Sequence, residues 1–140
     1  MRPCPWGNLF IFPTVQGGGH ERLSGIGGNF FEEVPADGDL YLLKLILHDW
    51  NDDQCIEILK NIRTAIRPDG TLCIIEILVP DDFTPHGGWM ADLNMMALTG
   101  GRERSRKEYE GLLEKGGFRL TKTMELPPTS MNILEAVPIS

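Results

Sequence analysis

Two nearly unbroken apolar runs of strand length, residues 39–47 and 71–79, flank a stretch with helical spacing, and this β-α-β order constrains the fold most. Such runs suit parallel strands covered on both faces, so residues 39–47 are expected at the centre of a sheet. Between the runs, Asn51 with Gln54 three residues on makes a variant capping box, and Asp52 and Asp53 stand where a helix dipole favours acids. Cys55, Ile58, Leu59, Ile62 and Ile66 then recur at helical spacing until Arg67-Pro68-Asp69-Gly70 stops the helix. Beyond the second run, 80–88 reads as a loop and 89–98 as a Met-bearing helix broken by Gly100-Gly101. Ser105 with Glu108 caps a helix reaching Lys115, which Gly116-Gly117 ends. Residues 118–126 and 131–137, split by Pro127-Pro128-Thr129-Ser130, read as an antiparallel pair at one sheet edge. The expected class is α/β, with a mostly parallel sheet and an antiparallel end.

The first thirty residues are Gly- and Pro-rich and differ from the rest. Residues 8–12 and 22–26 suit short strands, and Gly17-Gly18-Gly19 suits a loop or a tight phosphate-type turn. Neither that run nor Gly25-Ile26-Gly27-Gly28 completes Gly-x-Gly-x-x-Gly, which argues against a nicotinamide oxidoreductase. A length of 140 residues with 41% hydrophobic content suits one domain with a real core. Twenty acidic against thirteen basic residues give a net charge of −7, so nucleic acid is not an expected partner. Cys4, Cys55 and Cys73 lack zinc-site spacing and read as reduced thiols, which points to the cytoplasm. The run at 39–47 is broken by Lys44 and is far shorter than the roughly 20 residues of a membrane span. The aspartates at 49, 52 and 53 and the Asp81, Asp82, His86 group lack calcium-loop or other metal spacing, so no metal is expected.

In open α/β sheets ligands bind outside the carboxyl ends of the strands, which draws attention to Lys44, His48 and Glu76. If the first strand stays extended to its end, Lys44, Ile46 and His48 share one face. The plain alternatives are a polar cap for His48 and a surface lysine for Lys44. Glu76 lies inside an apolar run, where a carboxylate needs a partner unless it already reaches water at the sheet rim. Met90, Met95 and Met96 suit plain core, and also pockets that hold flat ligands.

Gly28-Asn29-Phe30-Phe31-Glu32-Glu33-Val34-Pro35 and the run from Asp39 to His48-Asp49-Trp50 resemble consecutive motifs of the S-adenosylmethionine-dependent O-methyltransferases. The branch is that of plant caffeate, acetylserotonin and bacterial tailoring enzymes. The resemblance continues through Glu76-Ile77-Leu78-Val79-Pro80, Asp92-Leu93-Asn94-Met95-Met96, Gly100-Gly101-Arg102-Glu103-Arg104-Ser105 and Gly116-Gly117-Phe118. It implies a Rossmann-like sheet, S-adenosylmethionine as cofactor and a small-molecule hydroxyl, on an aromatic or polyketide-like compound, as methyl acceptor. By resemblance His48 matches the catalytic base and Glu76 and Glu103 the acids that hold it. Asn29, Phe30 and Lys44 match cofactor contacts, and Asp49, Met95 and Met96 border the acceptor. Asn29 replaces the usual Asp of this motif, which alters the adenine contact.

The resemblance divides the chain into an atypical start, 1–21, and the carboxyl-terminal part of a catalytic domain, 22–140. Residues 10–15 align either with the family's second strand, placing Ile11 where an acid binds ribose, or residues 15–20 align with its glycine-rich loop. Under the first alignment the usual central strand is missing and a sheet edge is left open. The amino-terminal domain through which relatives homodimerise is not expected in this chain. A second reading is a catalytically inactive remnant or interaction module.

Overall fold

A computed structural model describes residues 7–11, 23–82, 88 and 101–140. Strands β1 (Gly7–Ile11) and β2 (Leu23–Gly27) form a parallel pair. They occupy the two expected amino-terminal positions to within a residue. The remaining strands make a five-stranded sheet. β3 (Leu40–Lys44) lies parallel to β4 (Thr71–Val79), which also pairs at its end with the two-residue β5 (Arg104–Ser105). β7 (Met131–Pro138) lies antiparallel between β4 and β6 (Phe118–Glu125), so the expected antiparallel end is present. The Gly17 to Gly19 run and the expected helix at 89–98, with Met95 and Met96, lie outside the described residues.

Helices α1 (Asp52–Ala65) and α2 (Arg106–Lys115) form where the capping signals stand, with both capping boxes closed reciprocally: Asn51 with Gln54, and Ser105 with Glu108. α1 buries Cys55, Ile58, Leu59 and Ile62, and α2 buries Tyr109, Leu112 and Leu113. These side chains meet Leu72 and Ile74 of β4 with Leu134 and Ala136 of β7 in one core. Each large aliphatic side chain among them contributes roughly 1.5–3 kcal/mol on burial. Gly117 ends α2 with φ +87, a conformation that glycine adopts without steric cost.

The structure corrects two expectations about the first apolar run. Among the described residues β3 lies at the end of the sheet rather than its centre. Tyr41 and Leu43 pack on the core, but Leu40 and Leu42 on the opposite face are 59% and 57% exposed. The strand also ends at Lys44 instead of running on to residue 47, because Leu45 turns the chain with a positive φ of 52 and residues Leu47–Asp49 form a 3-10 turn. Lys44, Ile46 and His48 therefore do not share the face of one extended strand.

Candidate active site

The site grows from the break after β3. With Leu45 left-handed and Ile46 right-handed in the helical region, successive backbone N–H groups converge into an anion-binding nest. The carboxylate that fills it is Glu76 of β4, fully buried, whose Oε1 accepts from the N–H groups of Ile46, Leu47 and His48 at 3.1, 2.9 and 3.4 Å. Leu72, Ile74 and Glu76 alternate on the buried face of β4, so the same period that fills the core aims this carboxylate beneath the His48 turn. The partner that Glu76 was expected to need is thus largely backbone.

His48 lies within reach of three acids. Its Nδ1 is 3.1 Å from Glu103 Oε1 and 3.6 Å from Glu76 Oε2, while Nε2 lies 3.6 Å from Asp49 Oδ1. Glu103, just ahead of β5, is buried like Glu76. The hydrogen bond to Glu103 raises the His48 pKa, burial opposes the rise, and the charges of Glu76, Glu103 and Asp49 reinforce it. Burial pushes the Glu76 carboxyl up to about 7, against the pull of His48 and the backbone N–H groups. One donor atom from each of His48, Glu76 and Glu103 lies within 4.8 Å of the other two. A hydrogen-bond separation between ring nitrogen and carboxylate makes the group a proton-sharing cluster in which Nδ1–H is held and Nε2 is the other ring nitrogen.

The segment 101–104 closes over this turn. Arg102 N–H donates to the His48 carbonyl at 2.9 Å, and a Cβ at Gly101 would stand 1.9 Å from that same oxygen, so only glycine fits. Arg104 is fully buried and donates to the carbonyls of Leu47 and Trp50 at 3.0 and 2.7 Å and to Asp52. Sequence reasoning assigned no role in the site to Gly101, Arg104, Asp52 or Leu45. The available signal was a second arginine placed directly before a helix-capping serine.

Of the other residues singled out in the sequence, Lys44 is exposed at the carboxyl end of β3. Asn29 stands just beyond β2, where its Oδ1 accepts from Phe31 N–H and its Nδ2 donates to Glu32. Phe30 is 8% exposed, tilted against Phe31 and edge-on to Trp50. Met95 and Met96 lie outside the described residues. A cleft of about 480 Å³ between the end of β4 and the β6–β7 turn is lined by Leu78, Asp81, Arg106, Glu125 and Asn132, and not by His48. Among the described residues no helix is long and apolar enough to cross a membrane.

The O-methyltransferase domain family matches residues 13–119. Phenazine O-methyltransferase PhzM of Lysobacter antibioticus is 44% identical over 126 residues, covering 89% of this chain and 36% of its own. The crystal structure of LaPhzM superposes with a TM-score of 0.87 at 41% identity, over 96% of this chain and 43% of that one. Human N-acetylserotonin methyltransferase, solved in complex with SAM, gives 0.84 at 28% identity, over 95% and 40%. The chain thus spans well under half the length of these relatives. With the sheet, the helices and the family match in agreement, the chain belongs to the O-methyltransferase domain family.

Proposed function

We propose that the chain is the carboxyl-terminal part, residues 22–140, of an S-adenosylmethionine-dependent O-methyltransferase catalytic domain in which His48 is the general base. The acceptor is a hydroxyl on an aromatic or polyketide-like small molecule. The observation that carries the reading is the His48 ring held through Nδ1 by the buried Glu103, with Glu76 behind it. A phenol near ~10 and a free imidazole near ~6.5 make full proton transfer uphill, so removal of the proton accompanies methyl transfer. The raised pKa of His48 narrows that gap. Nε2 takes the hydroxyl proton, Glu103 keeps the tautomer, and the negative charge of the cluster stabilises the imidazolium.

The residues present suit part of the cofactor. Lys44 offers an exposed ammonium at the carboxyl end of β3, and Asn29 keeps one amide N–H and one lone pair beyond its local bonds. When bound, S-adenosylmethionine supplies an electrophilic methyl group on a sulfonium. Met95, Met96 and Asp49 belong to the acceptor side of this reading, which also includes a cytoplasmic setting and homodimerisation of the intact enzyme. A second reading, a non-catalytic domain that keeps the sheet, is favoured by Asn29, which stands where the family usually carries an Asp and has only part of its amide left outside its own turn.

Calorimetry with S-adenosylhomocysteine and a methyl-transfer screen against mixed phenols separate the two readings. The expected result is measurable binding, and turnover that falls at least about 100-fold in His48→Ala while cofactor binding is kept. Turnover that survives His48→Ala refutes the base assignment, and binding without turnover supports the second reading.

A further inference from the structure

Arg104 is among the largest side chains with no exposure at all, and a guanidinium removed from water is tolerated only when its N–H groups are matched. It has five, in a rigid planar fork. Nε donates to Asp52 Oδ1 at 3.0 Å, one terminal nitrogen to the Leu47 and Arg102 carbonyls at 3.0 and 3.4 Å, and the other to the Trp50 carbonyl and Asp52 Oδ1 at 2.7 and 2.8 Å. All five are used. Leu47 and Trp50 bracket His48 and Asp49 in the chain, so the fork grips the turn on both sides of the imidazole.

We propose that Arg104, anchored by Asp52, is a positioning residue that sets the direction of the His48 ring by fixing the turn that carries it. The proposal deepens the general-base reading and rests on it. Two adjacent residues act together, Glu103 holding the ring at Nδ1 and Arg104 holding the backbone from which the ring projects. The Arg102 N–H on the His48 carbonyl and the close approach of Gly101 complete the grip. Asp52 lies in the first turn of α1, so the clamp ties the ring's position to a packed helix instead of leaving it to the mobility of an isolated turn. A general base needs this, because a displacement of about 1 Å costs on the order of 100-fold in rate.

The test is a nuclear magnetic resonance titration of His48 in the whole 140-residue chain, in the parent and in Arg104→Lys. Lysine keeps the positive charge and loses the planar fork. Among the described residues the charged groups facing the ring are Asp49 on its own turn, Glu76 from β4 and Glu103 beside β5, and all are left in place. Loosening of the Glu103 contact is expected to lower the His48 midpoint by about half a pH unit towards the free value near ~6.5, with the melting transition retained. A folded variant whose midpoint stays within about 0.1 pH unit of the parent overturns the proposal.

Should Arg104→Lys fail to fold, Asp52→Asn decides, measured at low salt and in about 1 M salt, where a Debye length of about 3 Å weakens the direct effect of the lost, half-exposed carboxylate, so that only a fall persisting in salt is read as the clamp. A midpoint unchanged in salt overturns it. The readout does not depend on turnover, so activity surviving in His48→Ala would sink the base reading separately.

Discussion

Replacing Glu76 by glutamine is expected to flatten the pH dependence of stability. The Glu76 carboxyl is moved from its ordinary 4.5 up to about 7, chiefly by burial. Between those values the folded chain keeps a proton that the unfolded chain releases, so stability falls as pH rises across this window. At about 1.4 kcal/mol per pH unit the loss comes to roughly 3 kcal/mol by pH 7. His48 acts with the same sign in a window that opens at 6.5 and overlaps the upper end of this one. Its folded pKa is raised above 6.5, so its contribution is fully present below that value and is lost as pH rises through the folded one. Other shifted groups titrate elsewhere: Asp52 is lowered, because Arg104 and Arg102 outweigh its burial, and its contribution is lost only in acid. Cys55, pushed up to about 11 by burial, and Tyr109, raised by burial, titrate in alkali.

The amide introduced by Glu76→Gln would still present a carbonyl oxygen to the three N–H groups of the nest, but it has no proton to lose. Urea denaturation of both proteins between about pH 5 and pH 8 measures the slope. The parent is expected to weaken by a few kcal/mol across the range, and the variant to lose most of the part below about pH 7. Stability that rises with pH in the parent, or an equal slope in Glu76→Gln, would refute the buried-proton account.

Two glycine substitutions are expected to move stability in opposite directions. Gly101→Ala forces a Cβ to 1.9 Å from the His48 carbonyl and should cost at least about 1–3 kcal/mol by urea denaturation, whereas Gly111→Ala on α2 meets no atom within 4 Å and should stabilise by about 0.5–1 kcal/mol. If β3 is open on its outer face, Leu40→Thr with Leu42→Thr changes stability by no more than about 0.5 kcal/mol per site and lowers self-association measured by light scattering, while a loss above about 2 kcal/mol would mean that the face is covered.

The parts of this molecule that were legible in the sequence are those written in local chemistry. Asn51 with Gln54, and Ser105 with Glu108, are self-contained codes for a helix start, and the helices begin where they stand. The antiparallel β6–β7 pair was legible for the same reason, since Pro127 to Ser130 interrupts two strand-forming runs. Spacing alone could not assemble the site, because His48 is 28 residues from Glu76 and 55 from Glu103, and their grouping was found through a family resemblance.

Among the described residues β3 stands at the end of the sheet and not at its centre, and this was not legible because an apolar run does not state whether a neighbouring strand lies beside it. Leu45 shows most clearly why the remainder was hidden. A leucine with φ of 52 costs about 1–3 kcal/mol, and nothing in its own chemistry announces it. That cost is offset across space, because the turn it creates presents three backbone N–H groups to a buried carboxyl oxygen that would otherwise lack partners. Neither Leu45 nor Glu76 makes physical sense alone. The strain in one backbone and the burial of one carboxyl group are each tolerated because the other is there, and together they place His48 where Glu103 can hold it.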